Sequence, residues 1–158
     1  ASQTAHPPVY VIARKPGADV LRPLSSEHPD DETFEGLLIL RPEGRLFFIN
    51  AEHVAAQMRE LTQKYQPRVI LLDMSRVPDM EYSALQMLIE GERRVREQGL
   101  ELWLADLSPR VLETVRHTRL PEALGPERLL FNTRVAIARY QQQQATTESK
   151  PANATPES

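Results

Sequence analysis

Four consecutive aliphatic residues, Val69-Ile70-Leu71-Leu72, constrain this chain more than any other feature. They follow Pro67 and run straight into an acid-rich loop beginning at Asp73, so the apolar run is strand-sized and has no alternation. A strand apolar on both faces must be covered on both, and a parallel sheet with helices on either side achieves this. The flanking sequence supplies those helices. Ala51–Tyr65 carries an apolar stripe of Val54, Ala55, Met58, Leu61 and Tyr65 behind Asn50, a good N-cap. Tyr82–Gln98 carries Ala84, Leu88, Gly91 and Val95 on one face and stops at Gly99. Ser108-Pro109 opens a third helix, with Val111, Leu112 and Val115 facing inward, and Asn132 or Thr133 caps a fourth that runs to about Gln143.

Strands are predicted over Val9–Ala13, Leu37–Leu40, Leu100–Ala105 and Leu129–Phe131. Arg41-Pro42-Glu43-Gly44 reads as a turn, with Leu46–Ile49 as the returning strand of an antiparallel hairpin. The expected fold class is therefore α/β: a mixed, mainly parallel sheet with about four helices and an N-terminal antiparallel hairpin. Residues 1–8 read as a tag or tether, Ala1-Ser2 having the form of an expression scar on a piece of a longer chain. Residues 9–140 read as one domain, and within it 14–35 as a long loop with neither helical nor strand period. The polar, repetitive stretch 141–158 is expected to be disordered. Gly91, on the inward stripe of its helix, predicts a close approach to the sheet, so that Gly91→Leu costs about 1 kcal/mol or more by overpacking.

Composition removes whole classes of chemistry. There is no cysteine, hence no disulfide, thiolate metal site or thiol nucleophile. The six glycines, at 17, 36, 44, 91, 99 and 125, are isolated, so no phosphate-cradling loop exists. A net charge of −3 offers nucleic acid no general attraction. No apolar run approaches the roughly 18 residues that span a bilayer. The histidines (His6, His28, His53, His117) form no metal-binding motif, and His53 reads as a solvent-facing residue in the first turn of its helix. No serine sits in a nucleophile elbow. The expectation is a domain without catalytic residues, metal or cofactor, acting by binding and regulation.

The segment Asp73 to Leu85 carries the functional signal. It leaves the C-terminal end of the most buried strand and enters a helix N-terminus, where free N–H groups and the positive helix end favour anions. Asp73, Asp79 and Glu81 suggest a phosphoacceptor of the receiver type, but that site needs a lysine in a later loop, and the only lysine after Lys64 is Lys150 in the tail. Ser83 reads in two ways: as a cap or first-turn residue bonding orphan amides, or as a hydroxyl whose phosphorylation the helix end would sense.

Those residues resemble the signature of STAS domains: a hydrophobic strand, then Asp-x-Ser-x-Val, and further on Met, Asp, x, Ser or Thr, Gly or Ala, Leu. Asp73, Ser75 and Val77 match its first part; Met80, Ser83, Ala84 and Leu85 match its second. Glu81 stands where Asp is usual and Tyr82 where a small residue is usual. Arg45-Leu46-Phe47-Phe48-x-Asn50-Ala51-Glu52 and Gly99–Leu107 are also similar to the family, over residues 9–140 in all, most closely to the cytosolic C-terminal domains of bacterial SulP-type anion transporters. The resemblance implies a STAS-like fold and a non-catalytic regulatory and protein-interaction role. It would act on folding, trafficking, dimerisation or gating of the membrane part, at the cytoplasmic face of the inner membrane. The alternative it implies is an anti-sigma-factor antagonist switched by phosphorylation of serine. Ser83 falls on the phosphoacceptor position, with Asp73, Ser75, Asp79, Met80, Glu81, Tyr82 and Ala84 as candidates for a binding loop. Implied partners are the membrane domain of the parent transporter and a cytosolic protein or second copy.

Overall fold

The computed structural model describes residues 6–149. Its strands are β1 (Val9–Arg14), β2 (Leu21–Pro23), β3 (Leu37–Pro42), β4 (Val69–Asp73), β5 (Glu101–Ala105) and β6 (Leu129–Leu130). Its helices are α1 (Phe48–Tyr65), α2 (Tyr82–Glu97), α3 (Pro109–Arg116), α4 (Leu120–Leu124) and α5 (Thr133–Ser149). One sheet runs in the order β2-β1-β3-β4-β5-β6. From β3 to β6 it is parallel, with Leu37 beside Val69 and Val69 beside Glu101. The α/β expectation holds, with five helices in place of about four.

Both faces of β4 are covered. Leu38, Leu40, Ile70, Leu72, Leu102 and Leu104 point to the layer of α1 to α4. The alternate residues Leu37, Ile39, Val69, Leu71 and Trp103 point to the other side, where α5 places Ala136, Ile137 and Tyr140. The period-two split of continuous apolar strands is what a two-sided sheet needs. Gly36, at φ +79°, is required where α5 crosses: a Cβ there would lie 2.5 Å from Tyr140 Oη and 2.6 Å from the Arg68 guanidinium. Tyr140 Oη donates to the Glu35 carbonyl and accepts from Arg68 at 3.0 Å, which locks the helix to the start of β3.

The antiparallel part is built differently from expectation. Leu46–Ile49 is not a returning strand; the antiparallel partners of the sheet are β1 with β3, and β2 with β1. Only Leu46 of the run is buried, through one parallel bridge to Met80. Phe48 and Ile49 open α1 and stand 69 % and 72 % exposed. Asn50 consequently sits at the third helical position instead of the cap, its Oδ1 accepting from the Phe47 amide at 3.0 Å and its Nδ2 donating to the Arg45 carbonyl at 2.8 Å. Hydrophobicity alone made the run look like a strand, and the reach-back of Asn50 makes it a helix start. Along α1, Val54 is buried, but Tyr65 at the C-terminal end is 40 % exposed.

The segment 14–35 is not wholly a loop, since it contains β2. Arg22 grips Asp31 through two bonds, Nε to Oδ2 at 2.7 Å and Nη2 to Oδ1 at 2.8 Å, and Arg14 lies 4.9 Å above the Phe34 ring. An ion pair and a cation–π contact, neither with a sequence period, order it. Of the expected tether, Pro7 is buried, its carbonyl accepts from Gln57 Nε2 at 3.1 Å, and His6 stacks on the exposed His53 with ring centres 3.8 Å apart. Residues 1–5 lie outside the described residues. Of the stretch expected to be disordered, residues 141–149 continue α5 as largely exposed helix, and 150–158 lie outside the described residues.

Gly91 also departs from expectation. It lies half-buried on the inward side of α2, yet a Cβ there would have no atom within 4 Å. The helix does not press on the sheet at this point; an apolar space separates them.

Candidate functional site

The C-terminal ends of β4 and β5 and the N-terminal ends of α1, α2, α3 and α5 meet along one edge of the sheet. Asp73 ends β4, buried, and its Oδ1 accepts from the Ser75 amide at 3.0 Å, which turns the chain out of the sheet. Met74 donates its amide to the Ala105 carbonyl at 2.9 Å, and Val77 is fully buried, so the loop is anchored at two points. Ser75 and Arg76 between them are exposed.

The second half of the loop is zipped to the segment that enters α1. Gly44 donates to the Arg76 carbonyl at 2.9 Å, Leu46 to Asp79 at 3.1 Å, and Glu81 to Leu46 at 2.8 Å. Side chains reinforce the zipper. Asp79 Oδ1 accepts from the Met80 amide at 2.9 Å, while its Oδ2 pairs with Arg45 at 2.9 Å and lies 3.9 Å from Arg110 of α3. Glu81 Oε1 accepts from the Phe48 amide at 3.1 Å, so a carboxylate of one helix entry satisfies an orphan amide of the other. Ser108, which caps α3 through the Val111 amide, also donates to the Pro78 carbonyl at 3.3 Å.

The sequence-predicted residues therefore divide. Met80 and Ala84 are buried in the core between α1 and α2. Asp73 and Asp79 hold the loop's shape. Glu81 and Tyr82 are exposed, Tyr82 to 68 %. Ser83 is the second residue of α2, half-buried and inside the first turn; the cap position belongs to Glu81, whose side chain makes no bond to α2. No acidic residue lies in the first turn of α2. Phe48 and Ile49 are exposed on the neighbouring helix entry, which the bond from the Phe48 amide to Glu81 ties to the residue before Tyr82.

Sequence reasoning missed five residues of this edge: Arg45, Phe48, Ile49, Asp106 and Arg110. Arg45, Phe48 and Ile49 lie within a run similar to the family, but the sequence pattern places Phe48 and Ile49 in a strand and Arg45 between that strand and the preceding turn. Asp106 follows β5 at φ +61°, a strained conformation for a residue other than glycine. Burial pushes its carboxyl above the usual carboxylate range, the nearby charge of Asp73 pushes the same way, and Arg134 opposes both. No spacing in the sequence signals that β4 and β5 end side by side, with Asp73 opposite Ala105. Among the described residues there is no group of three or more His, Asp or Glu able to hold a metal ion.

Residues 28–136 match the family model of the STAS domain. The chain belongs to the STAS domain family. Among curated relatives, this STAS domain is 24 % identical to the high affinity sulfate transporter 2 of Stylosanthes hamata over 148 residues, covering 87 % of this chain and 22 % of that protein. The chain thus spans about a fifth of the length of the curated relatives it matches. In fold it is similar to the SulP transporter STAS domain from Vibrio cholerae, with a TM-score of 0.63 and 18 % identity over 77 % of this chain and 93 % of that one. It is also similar to part of the murine solute carrier 26 family member A9 anion transporter, with a TM-score of 0.74 and 17 % identity over 86 % of this chain and 22 % of that one. Among the described residues no helix is long and apolar enough to cross a membrane.

Proposed function

We propose that this STAS domain is a non-catalytic regulatory and protein-interaction module, extending over residues 9–140, of a SulP-type anion transporter at the cytoplasmic face of the inner membrane. It acts on the folding, trafficking, dimerisation or gating of the membrane part by docking through the entries of α1 and α2. The observation that carries the reading is the exposure of Phe48, Ile49 and Tyr82, at 69 %, 72 % and 68 %, on a zippered and therefore rigid base. Large apolar side chains held rigidly in water mark interaction surfaces, and aromatic anchors dominate binding energy at such surfaces. The sulfate transporters among its relatives supply the class of parent.

Ser83 is the regulatory position beside those anchors. The amides of Tyr82, Ser83 and Ala84 open α2 and favour a phosphoryl group, whereas Asp79 and Glu81 repel it, so modification there changes the charge of the docking face without touching the core. The test is anion uptake by the full-length parent in proteoliposomes, with circular dichroism of the isolated domain as the folding control. Phe48→Ser with Tyr82→Ser should lower uptake or the yield of assembled transporter at least several-fold, and Ser83→Asp should shift uptake in one direction, both with the domain's spectrum unchanged. Wild-type uptake from both variants would overturn the reading. Phosphorylation of Ser83 by a kinase partner, with no dependence on a membrane part, would favour the anti-sigma-factor antagonist instead.

A further inference from the structure

Between α1 and α2, over the sheet face that α5 does not cover, lies a cavity of about 220 Å³. Its floor is Ile70, Leu72 and Leu102, and Met58 and Met87 face it from the two helices. For scale, an apolar cavity of about 150 Å³ stays dry and accepts benzene. Two further observations say what this one takes. First, its only charged lining residues are arginines, Arg59 on α1 and Arg94 on α2, with no carboxylate among them. Both are weakly held: among the described residues Arg59 meets one carboxylate, Glu52, at 3.3 Å, and Arg94 one, Glu90, at 3.8 Å, which Arg93 already grips. Second, Gly91 lines the cavity although glycine is, proline aside, the least favourable residue in a helix interior. No close contact demands it, since a Cβ would meet nothing within 4 Å. What the missing side chain does is keep the cavity open.

We propose that this cavity binds a single-chain anionic amphiphile of the fatty-acid class, its alkyl chain along Ile70, Leu72 and Leu102 and its carboxylate between Arg59 and Arg94. A partner helix, about 10 Å across, is too thick for a space of this size and could insert no more than a side chain. The flexible thioethers of Met58 and Met87 suit an alkyl chain that lacks a fixed shape. The proposal does not depend on the docking face at the helix entries.

The probe is decanoate, kept below its micelle concentration, titrated into the 158-residue chain with the Met58 and Met87 methyl signals followed by NMR. Saturable one-site shifts at both methyls are expected, with decanol and decyltrimethylammonium binding at least about tenfold more weakly, equivalent to about 1.4 kcal/mol. Gly91→Leu should fill the cavity and remove the decanoate shifts while the chain stays folded. Should that variant fail to fold, the surface pair Arg59→Gln and Arg94→Gln still decides the matter, by weakening decanoate towards the affinity of decanol. Absence of saturable shifts, equal affinity for the cationic amphiphile, or unchanged decanoate binding in Arg59→Gln/Arg94→Gln would overturn the proposal. Methyl signals that move with protein concentration alone would also overturn it, because a second copy would then be the occupant.

Discussion

Replacing Gly91 with alanine tests the packing of α2 with an effect whose sign is in question. Spacing alone puts Gly91 against the sheet and predicts that any added side chain costs stability. In the structure the space beyond its Cα is empty to 4 Å, so a methyl group displaces nothing. Alanine is preferred to glycine in a helix interior by about 0.8–1.0 kcal/mol, mostly because the unfolded chain loses less freedom on folding. The position is half-buried, so the methyl also removes some apolar area from water, a fraction of the roughly 0.8 kcal/mol of a fully buried methylene. Together these make Gly91→Ala more stable by about 1–1.5 kcal/mol. For a domain of this size that raises the thermal midpoint by about 3–6 °C. The assay is urea unfolding followed by far-ultraviolet circular dichroism. The midpoint should rise with an unchanged m value, since the surface exposed on unfolding barely changes. A loss of about 0.5 kcal/mol or more would refute the reasoning, by showing α2 in direct contact with the sheet at residue 91.

Asp106→Asn should stabilise the domain at pH 7, because asparagine keeps the left-handed backbone that aspartate also tolerates while removing a charge that burial and Asp73 both disfavour. The raised carboxyl makes the cost of Asp106 appear as pH climbs above the unfolded-state value, so the gain should vanish below about pH 4, where both states are protonated. Hydrogen bonding from Arg22 holds the Asp31 carboxyl below the usual carboxylate range, so the stability it contributes is present above the unfolded-state value and is lost as pH falls through the folded one. Arg22→Gln should therefore lower stability at neutral pH and flatten the acid limb of the stability curve, read by urea midpoints between about pH 2 and 7. Truncation after Gln144 should leave the thermal midpoint unchanged, because Gln144 keeps its 3.0 Å bond from Arg68 and the rest of α5 is exposed.

How much of this was legible in the sequence follows from which forces leave a period. The sheet interior was legible because β4 is apolar at every position, and covering both its faces admits few architectures. Helices α1, α2 and α3 were legible through burial that repeats every three to four residues, whereas the five-residue α4 is too short to leave a period. The start of α1 was not. Leu46-Phe47-Phe48-Ile49 has the composition of a strand; Asn50, reaching back to the Phe47 amide, starts the helix, and the loop thirty residues downstream holds that entry by presenting Glu81 to the Phe48 amide and Asp79 to Arg45. Part of that information is carried by two carboxylates distant in sequence, which no window of neighbouring residues contains.

The candidate site shows the same division. Asp73 to Ala84 was found as a stretch because it joins a buried strand to a helix start, which topology makes a binding edge. Which of its residues face outward depends on the zipper between residues 44–48 and 76–81. That pairing turns Met80 and Ala84 into the core and leaves Tyr82, Phe48 and Ile49 exposed on the two joined helix entries. The cavity lies one step further from the sequence. A glycine on an inward stripe has two opposite meanings, a backbone pressed close to its neighbour or a hole left for something else, and both give the same pattern of letters. At Gly36 the atoms 2.5 Å away select the first meaning; at Gly91 the empty 4 Å select the second. The two glycines therefore make opposite predictions under one substitution. Alanine at 36 forces apart the contact of Tyr140 and Arg68 and adds left-handed strain, so it should destabilise by well over 1 kcal/mol, on the order of overpacking plus backbone strain. Alanine at 91 should do the reverse in the same urea assay. If both substitutions moved the midpoint in the same direction, the distinction between a pressed and an open glycine would fail, and the cavity between α1 and α2 would fail with it.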